Sequence, residues 1–374
     1  DKDFVLPREI GEAGLTSLFA ETIAAQNDYY QQLYQQLRPF VFEQNKELAQ
    51  DPANKSLLNG WAKEDARYVI SLATQTQLGM TINTRNLELM LRRLAALPLA
   101  EAKEYSEKLY SAIKDIAPSL IRYTQATDYD KFTRKNLAEK SDLIFSKTAS
   151  KNDAAQKIAV NLFQATADAD NRMAATLLFT ASRQNYAACL KQAKKLPSKD
   201  KKALFKTAFA QIQPHDAVLR ELENVDLQFE LIVSSSCFAQ LKRHRMATII
   251  SQEYNPALGV TVPPSVRQIG QQKNFLNIIS QSEKAYEQIR KKSPFAAAYI
   301  LTNAHRKRVL MKFNAREMYH LARLRADSHA QWDIRKLTED MLKKAKKVMP
   351  LTLALACGKD AFAALHKKTF ARGR

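Results

Sequence analysis

The scarcity of glycine is the feature that most restricts the fold of this chain. Only eight glycines occur in 374 residues, so few positions can form the tight turns that depend on positive φ angles. Apolar residues recur at helical spacing through much of the chain, for example in residues 10–38 and 99–123. The sequence therefore predicts long helices joined by few tight turns.

One stretch departs from this helical pattern. Residues 226–233 read DLQFELIV, which alternates and is rich in β-forming residues, and this predicts a strand. The serines that follow predict the capped start of a helix, and MATIIS at 246–251 predicts a returning strand. We expect residues 154–193 to be helical. The predicted fold class is therefore α+β and predominantly helical, with helices packed with a small sheet.

The chain contains an internal repeat, in which residues 82–120 align with residues 313–353 when one gap is allowed. The aligned pairs are Asn83 with Asn314, Arg85 with Arg316, Arg93 with Arg325, and Pro118 with Pro350. The predicted strand has no counterpart in the first copy, so we expect that copy to lack its N-terminal part. We divide the chain into an incomplete first repeat at 1–127, a polar linker at 128–153 and a complete second repeat at 154–374.

The charge of the chain indicates an anionic ligand. A formal net charge of +20 attracts nucleic acid, acidic membrane surfaces or phosphorylated small molecules. The basic residues recur in several runs, such as 191–202 and 241–245, and most of these runs are equally explained as solvated helix faces. No apolar run approaches the roughly 18 residues of a membrane span, so we expect no membrane partner. Three widely separated cysteines favour a reducing, cytoplasmic setting.

Polar and aromatic side chains are concentrated in NAREMYHLARLRADSHAQWDIR, which begins at Asn314. Arg325 follows 11 residues later, about three helical turns, so the two residues share a helix face. Ser328 and Gln331 have the spacing of a capping box, which predicts that one helix ends near Arg325 and the next begins at Ser328. An arginine at such a junction can bind an anion or a carbonyl group. A second motif, QLKRHR at 240–245, follows the predicted strand.

Together these two motifs resemble those of the flavin-dependent thymidylate synthases. That family shows an Arg-His-Arg motif after a strand, then a Pro-Pro loop, and later an Asn-Ala-Arg helix that ends in Leu-Arg-x-x-x-His-Ala-Gln-Trp. Residues 154–370 cover the whole family domain, and residues 1–125 resemble the later part of a second copy. The resemblance implies a tandem form of this fold and a reductive methylation. In that reaction dUMP becomes dTMP, methylenetetrahydrofolate gives the carbon, and NADPH reduces a tightly held FAD. No cysteine attacks the uracil in this family.

The resemblance implies roles for individual residues. Arg325 would lie over the pyrimidine and polarise it toward attack, which makes it the expected catalytic residue. The implied substrate-binding residues are Arg67, Gln240 and Arg325. The implied cofactor-binding residues are Arg243, His244, Arg245, Asn314, Arg316, His320 and His329. Single-copy relatives are homotetramers, so the resemblance also implies a homo-oligomer, such as a dimer of tandem chains.

The two copies depart from the family pattern in complementary ways. In the second copy, Glu253 and Asn255 stand where the family has serine and arginine, and Ala298 replaces an arginine that holds the nucleotide phosphate. The first copy keeps that arginine as Arg67, but leucines replace the family histidines. We therefore expect a hybrid site, with nucleotide-binding residues from the first copy and the flavin contacts and catalytic arginine from the second.

Two other functions stay open on the sequence. One is a basic, helical nucleic-acid-binding protein, although the basic residues are not interleaved with aromatic residues as that class requires, so we expect no nucleic-acid partner. The other is a flavin-binding relative that has lost thymidylate synthesis. We expect no metal site, because the histidines at 305, 320 and 329 lack the spacing of a tight ligand pair. His305 and His366 are expected on the surface.

Overall fold

The computed structural model describes residues 3–116, 118–146 and 158–370. They fold into two compact units, of which the first comprises the described residues up to 146 together with Val260–His305. The second unit comprises the remaining described residues. Residues 260–305 therefore fold with the first unit, although the sequence assigns them to the second repeat. The boundaries of the repeats stay a prediction, because a repeat and a compact unit need not coincide.

Helices make up most of the described chain, and the predicted α+β, predominantly helical class is confirmed. In chain order the helices are α1 (Arg8–Glu12), α2 (Thr16–Gln44), α3 (Lys46–Ala49), α4 (Lys55–Ala66), α5 (Thr84–Ala95), α6 (Ala100–Ile113), α7 (Asp128–Ser146), α8 (Ala169–Thr180), α9 (Tyr186–Lys195), α10 (Ser198–Phe209), α11 (Ser235–Leu241), α12 (Pro264–Gln268), α13 (Gln272–Lys292), α14 (Ala315–Arg325), α15 (Trp332–Val348) and α16 (Phe362–Phe370). The strands are β1 (Val160–Ala165), β2 (Asp226–Ser234), β3 (Thr248–Tyr254) and β4 (Arg306–Asn314). Among the described residues, none of these helices combines the length and the apolar character that crossing a membrane requires.

Helix α2 lies at the centre of the first unit. Its apolar residues recur on one face, and those that are almost fully buried are Phe19, Ile23, Leu33 and Leu37. Gln26 lies on the same face and donates to Oγ of Ser282 over 2.7 Å and to the carbonyl of Ile300 over 2.9 Å. These bonds tie residues 260–305 to the N-terminal helices, because a buried amide must find partners within the protein.

The predicted linker is helical where the structure describes it. Residues 128–146 form α7, and none of its residues is buried, which agrees with the polar character of the sequence. Residues 147–153 lie outside the described residues.

His305 is buried, so the expected surface position is wrong. Its Nδ1 accepts a hydrogen bond from the backbone N–H of Thr302 over 2.9 Å. The ring thus satisfies a buried donor in a tight turn, which the sequence could not show. His366 is only partly exposed, because its ring contacts Phe362 and Phe370.

A four-stranded antiparallel sheet with the order β1-β2-β4-β3 lies in the second unit. Strands β2 and β3 confirm both predicted strands. The expectation that residues 154–193 are helical is wrong at β1, whose residues pair with β2 from Val160 opposite Leu231 to Ala165 opposite Leu227. A run of six residues is too short for periodicity to separate a strand from a helix.

Asparagine side chains begin two helices at equivalent positions of the predicted repeat. Oδ1 of Asn314 accepts from the backbone N–H of Glu317 over 2.9 Å at the start of α14. Oδ1 of Asn83 accepts from the N–H of Asn86 over 2.9 Å at the start of α5. Both are N-caps, which supply an acceptor for an otherwise unpaired helix donor.

The capping box predicted after α14 is wrong. Helix α14 ends at Arg325 as expected, but α15 begins at Trp332, and its N-cap is Gln331, whose side chain accepts from the N–H of Asp333 over 3.0 Å. The N–H of Ser328 donates to Asp360 over 3.1 Å instead. The chain between the two helices is therefore fixed in part by Asp360, which lies outside it and which the local spacing did not reveal.

Candidate functional site

Ser234 positions the short helix that precedes the basic motif. Its Oγ accepts from the N–H of Cys237 over 3.0 Å as the N-cap of α11, and it donates to Oδ2 of Asp333 over 2.6 Å. Helix α11 therefore has a fixed start at the end of β2. The turn after α11 carries the Arg-His-Arg motif, in which His244 is only 3% exposed.

His244 is held at both ring nitrogens. Its Nδ1 lies 2.9 Å from Oε1 of Glu317, which is itself buried. Its Nε2 accepts from Nε of Arg325 over 3.2 Å. Because a guanidinium can only donate, Nε2 must carry the lone pair, and the ring proton lies on Nδ1, where it faces the carboxylate. These two contacts therefore favour one tautomer of the ring, with the proton on Nδ1.

Gln240 holds the other end of the Arg325 side chain. Nη1 of Arg325 donates to Oε1 of Gln240 over 3.3 Å, and Nη2 donates to the Gln240 carbonyl over 3.4 Å. Within the described part of the chain, these bonds and the one to His244 use three of the five N–H donors, which leaves two for a ligand. Burial, and then the charge of Arg243, lower the pKa of Arg325. The structure thus brings together three predicted site residues, Gln240, His244 and Arg325.

A cavity of about 240 Å³ adjoins this group. Its lining includes three of the predicted cofactor-binding residues, Asn314, Arg316 and His320, together with Glu317 and Met246. The His320 ring is exposed and meets the ring of His244 edge-on, at 5.7 Å between centroids. The cavity is therefore lined by cationic, amide and aromatic groups as well as by one buried carboxylate.

The guanidinium of Arg316 is fixed on the cavity wall. Its Nη1 donates to Oε1 of Glu223 over 2.7 Å, and its Nε donates to the carbonyl of Val218 over 3.2 Å. The hydrogen bond from Arg316 is the main cause that lowers the pKa of Glu223. An anionic ligand would have to share this arginine with Glu223 or displace the carboxylate.

Four predicted cofactor-binding residues are not among those that line the described cavity. One of them is His244, whose ring contacts Glu317 and Arg325. Arg243 and Arg245 are exposed on either side of the buried histidine. His329 is exposed, and its Nδ1 lies 2.8 Å from Oδ1 of Asp327. Their predicted roles in cofactor binding stay predictions.

The predicted substrate residue Arg67 belongs to the first unit, where it is partly buried at the end of α4. Burial raises the pKa of Glu64, and the charge of Arg67 offsets part of this effect. The same charge opposes the effect of burial on the pKa of Tyr30. Arg67 therefore adds positive potential to a partly buried region of its own unit.

Sequence reasoning missed Glu317, although it is the carboxylate that contacts the Arg-His-Arg motif. Its position three residues after the N-cap Asn314 was visible in the sequence. That spacing is usually explained by capping alone, so it did not mark Glu317 as a site residue. Glu223, which binds Arg316, was missed because it lies 93 residues away in sequence.

The cysteines of the second unit do not resemble activated nucleophiles. Burial raises the pKa of Cys237 well above its usual value, and the charge of Asp333 adds to this effect. Burial also raises the pKa of Cys357, and Cys189 is buried. A nucleophilic cysteine needs a lowered pKa, so this chemistry is not favoured at Cys237 or Cys357.

His244, Glu317 and His320 each offer one possible metal ligand, and these atoms lie within 4.8 Å of one another. The absence of a metal site therefore stays a prediction. Both nitrogens of His244 already have protein partners, so a metal bound to either would have to break one of these contacts.

The pattern of the family described as thymidylate synthase complementing protein matches residues 1–119 and 161–351. These stretches make up more than half of the chain, and the chain belongs to this family.

Individual relatives fall into two groups. A UPF0159 protein of Chlamydia muridarum is 23% identical over 352 residues, which cover 90% of this chain and 66% of that protein. A UPF0159 protein of Thermoplasma acidophilum is 23% identical over 327 residues, which cover 82% of this chain and 61% of that protein. A flavin-dependent thymidylate synthase of Haloarcula marismortui is 31% identical over 153 residues, which cover 32% of this chain and 62% of that protein. The chain thus spans slightly less than two thirds of these curated relatives.

Proposed function

We propose that this protein is a flavin-dependent thymidylate synthase that converts dUMP to dTMP. The observation that carries this proposal is the fixed guanidinium of Arg325, which Gln240 and His244 hold by three hydrogen bonds. The three residues come from the two sequence motifs that resemble the thymidylate synthases, and 81 residues separate His244 from Arg325. Membership of the thymidylate synthase complementing protein family supports the same activity.

The proposed reaction adds one carbon to the pyrimidine as a methyl group and consumes two electrons from NADPH. dUMP, methylenetetrahydrofolate, NADPH and one proton give dTMP, tetrahydrofolate and NADP⁺. The C5–H bond of uracil breaks and its proton leaves, while a C–C bond forms to the folate methylene carbon. The two bonds from this carbon to the folate nitrogens break, tetrahydrofolate leaves, and the carbon is reduced to a methyl group. FAD, when bound, would supply the two electrons that NADPH provides. Arg325 would donate its remaining N–H groups to a pyrimidine carbonyl and so withdraw electrons from the ring.

The cavity residues fit part of a flavin nucleotide. Arg316 and Arg323 supply guanidinium groups for an anion, and His320 and Met246 supply an aromatic and an apolar surface. A volume of about 240 Å³ lies below the roughly 300–1,000 Å³ of most cofactor sites. We propose that Asn314, Arg316 and His320 would hold one end of FAD, and that the rest of the cofactor would bind outside this cavity.

The nucleotide-binding role of the first copy belongs to the same proposal. Arg67 is the proposed ligand of the dUMP phosphate, because the second copy has Ala298 at the corresponding position. The match of the family pattern to residues 1–119 as well as to 161–351 supports a tandem arrangement. A homo-oligomer of tandem chains and a cytoplasmic location remain predictions of this proposal.

The visible spectrum of the purified protein tests the proposed function. We expect flavin absorbance that shifts when dUMP is added, and release of tritium from [5-³H]dUMP when methylenetetrahydrofolate and NADPH are present. Colourless protein that cannot be reconstituted with FAD would contradict the proposal.

A second candidate is a flavin-binding relative that does not synthesise thymidylate. Two positions in and after β3 favour it, because the family has serine and arginine where this chain has Glu253 and Asn255. The side chain of Asn255 accepts from the N–H of Ala257 over 2.9 Å and so caps a short turn. Bound FAD without tritium release at any dUMP concentration would identify this candidate.

A further inference from the structure

We propose that Glu317 is the positioning residue for Arg325, acting through the imidazole of His244. The carboxylate of Glu317 fixes the ring proton of His244 on Nδ1, and the free Nε2 then holds the Nε–H of Arg325. The part that concerns catalysis rests on the proposed function, whereas the hydrogen-bond relay itself rests on geometry alone.

Burial makes the carboxylate decisive for the tautomer of His244. The side chains of His244 and Glu317 are 2% and 6% exposed, so water does not compete for the ring nitrogens. Nδ1 lies 2.9 Å from Oε1 of Glu317, and an ionised carboxylate can only accept. The proton of a neutral ring is therefore favoured on Nδ1, where a hydrogen bond to the carboxylate compensates its burial.

The other tautomer would remove the support of Arg325. A proton on Nε2 would face the Nε–H of the guanidinium, 3.2 Å away, so that two donors would oppose each other. A protonated ring would have the same effect and would add a like charge beside Arg325. The guanidinium would then keep only its contacts to Gln240, at 3.3 and 3.4 Å.

A capping role does not explain the contact of Glu317. In a capping box, the third residue of the helix returns its side chain to the backbone of the N-cap. Here the N–H of Glu317 does donate to Asn314, but its carboxylate reaches 73 residues away in sequence, to His244. A buried carboxylate that orients a histidine, which in turn orients a reacting group, is a recurrent arrangement in active sites.

Nitrogen NMR of histidine-labelled protein tests the relay. In the wild-type protein, with the His244 signals assigned by their loss in His244→Gln, we expect a protonated Nδ1 and an unprotonated Nε2. Glu317→Ala should shift the ring toward the Nε2-protonated tautomer. Glu317→Gln should keep the wild-type tautomer, because the amide oxygen can still accept. The control is Glu230→Gln, which removes a carboxylate paired with Arg308 in the sheet and should change nothing.

A second variant covers the case in which Glu317→Ala does not fold. Glu317→Asp keeps the charge but shortens the side chain by one methylene. Its carboxylate should no longer reach Nδ1, so the ring should again shift toward the Nε2-protonated tautomer. In both variants we expect the Nε–H of Arg325 to exchange with solvent about tenfold faster, as for a lost hydrogen bond of about 1.4 kcal/mol. An unchanged tautomer and unchanged exchange in folded Glu317→Ala or Glu317→Asp would overturn the proposal.

Tritium release separates the relay from the proposed function. If the wild-type protein releases tritium, Glu317→Ala should lower kcat about tenfold or more with little change in KM. Glu317→Gln should keep most of the wild-type kcat. Equal kcat values in wild-type protein and Glu317→Ala would overturn the catalytic part of the proposal. If the wild-type protein binds FAD but releases no tritium, the proposed thymidylate synthase activity is wrong. The NMR result still decides whether Glu317 positions Arg325.

Discussion

Arg325 donates its Nε–H to Nε2 of His244 over 3.2 Å, although 81 residues separate them. The two terminal nitrogens of the same guanidinium bind the side chain and the carbonyl of Gln240. A planar group with donors in fixed directions is needed to make these bonds together. The arginine is therefore held by its shape as well as by its charge.

Replacement of Arg325 by lysine keeps the charge and removes this geometry. We expect Arg325→Lys to lower kcat for tritium release from dUMP about 100-fold or more, as for the loss of an aligned donor in an active site. Circular dichroism should stay unchanged, because the residue is only partly buried at the end of α14. Arg290→Lys is the control, since Arg290 is an exposed residue paired with Glu287, and its kcat should match that of the wild-type protein. A kcat of Arg325→Lys close to the wild-type value would exclude a catalytic role for the guanidinium.

Arg316 and Arg220 both pair with Glu223, but only Arg316 is among the residues that line the described cavity. We expect Arg316→Ala to weaken FAD binding roughly 10- to 100-fold, because a charge-assisted hydrogen bond to the cofactor is lost. Arg220 is 82% exposed, so Arg220→Ala should change the dissociation constant less than twofold. Flavin fluorescence titration measures both. Equal affinities of the two variants would show that Arg316 does not bind the cofactor.

Part of the secondary structure could be predicted from local signals. The alternation in residues 226–233 predicted β2, and the helical spacing of the motif that begins at Asn314 predicted a helix that ends near Arg325. Strand β1 was missed because its six residues acquire strand character by pairing with β2. The burial of His305 was missed because it depends on a turn whose N–H donor is at Thr302. Local periodicity does not indicate which other residues a strand or a side chain will contact.

The candidate site could be predicted in part, since two motifs indicated Gln240, His244 and Arg325. Glu317 was missed because its spacing from the N-cap fits an ordinary capping residue. His329 is exposed beside Asp327, and its role as a cofactor contact stays a prediction. Motifs thus identified side chains with suitable chemistry, whereas the partners of those side chains depend on the packing of distant segments.

Arg67 is the residue through which the first copy is proposed to bind the substrate. We expect Arg67→Ala to raise the dissociation constant of dUMP about tenfold or more, because a bidentate phosphate contact is lost. FAD should stay bound, as judged from its visible spectrum. Arg38→Ala is the matched control, since Arg38 is an exposed arginine of the same unit that donates to Asn59, and it should leave the affinity for dUMP unchanged. Unchanged dUMP affinity in Arg67→Ala with FAD still bound would rule out this role.

Asp327 makes the stability of the turn after Arg325 depend on pH. Its carboxylate accepts from the backbone N–H of His329 over 3.0 Å and from that of Asp360 over 3.1 Å. The backbone hydrogen bond from His329 is the main cause that lowers the pKa of Asp327 below its usual 3.8. A lowered pKa in the folded state stabilises the fold fully above the unfolded value, and this contribution is lost as the pH falls through the folded value.

We therefore expect Asp327→Asn to lower the free energy of unfolding by about 1–2 kcal/mol at neutral pH. The difference from the wild-type protein should shrink as the pH falls below 3.8, because protonation removes the charge of Asp327 in the wild-type protein as well. Urea unfolding of both proteins between pH 7 and pH 3 measures this difference. Asp340→Asn, which changes an exposed aspartate of α15, serves as the control and should have little effect. A difference between wild-type protein and Asp327→Asn that stays constant over this range would show that the charge of Asp327 does not stabilise the turn.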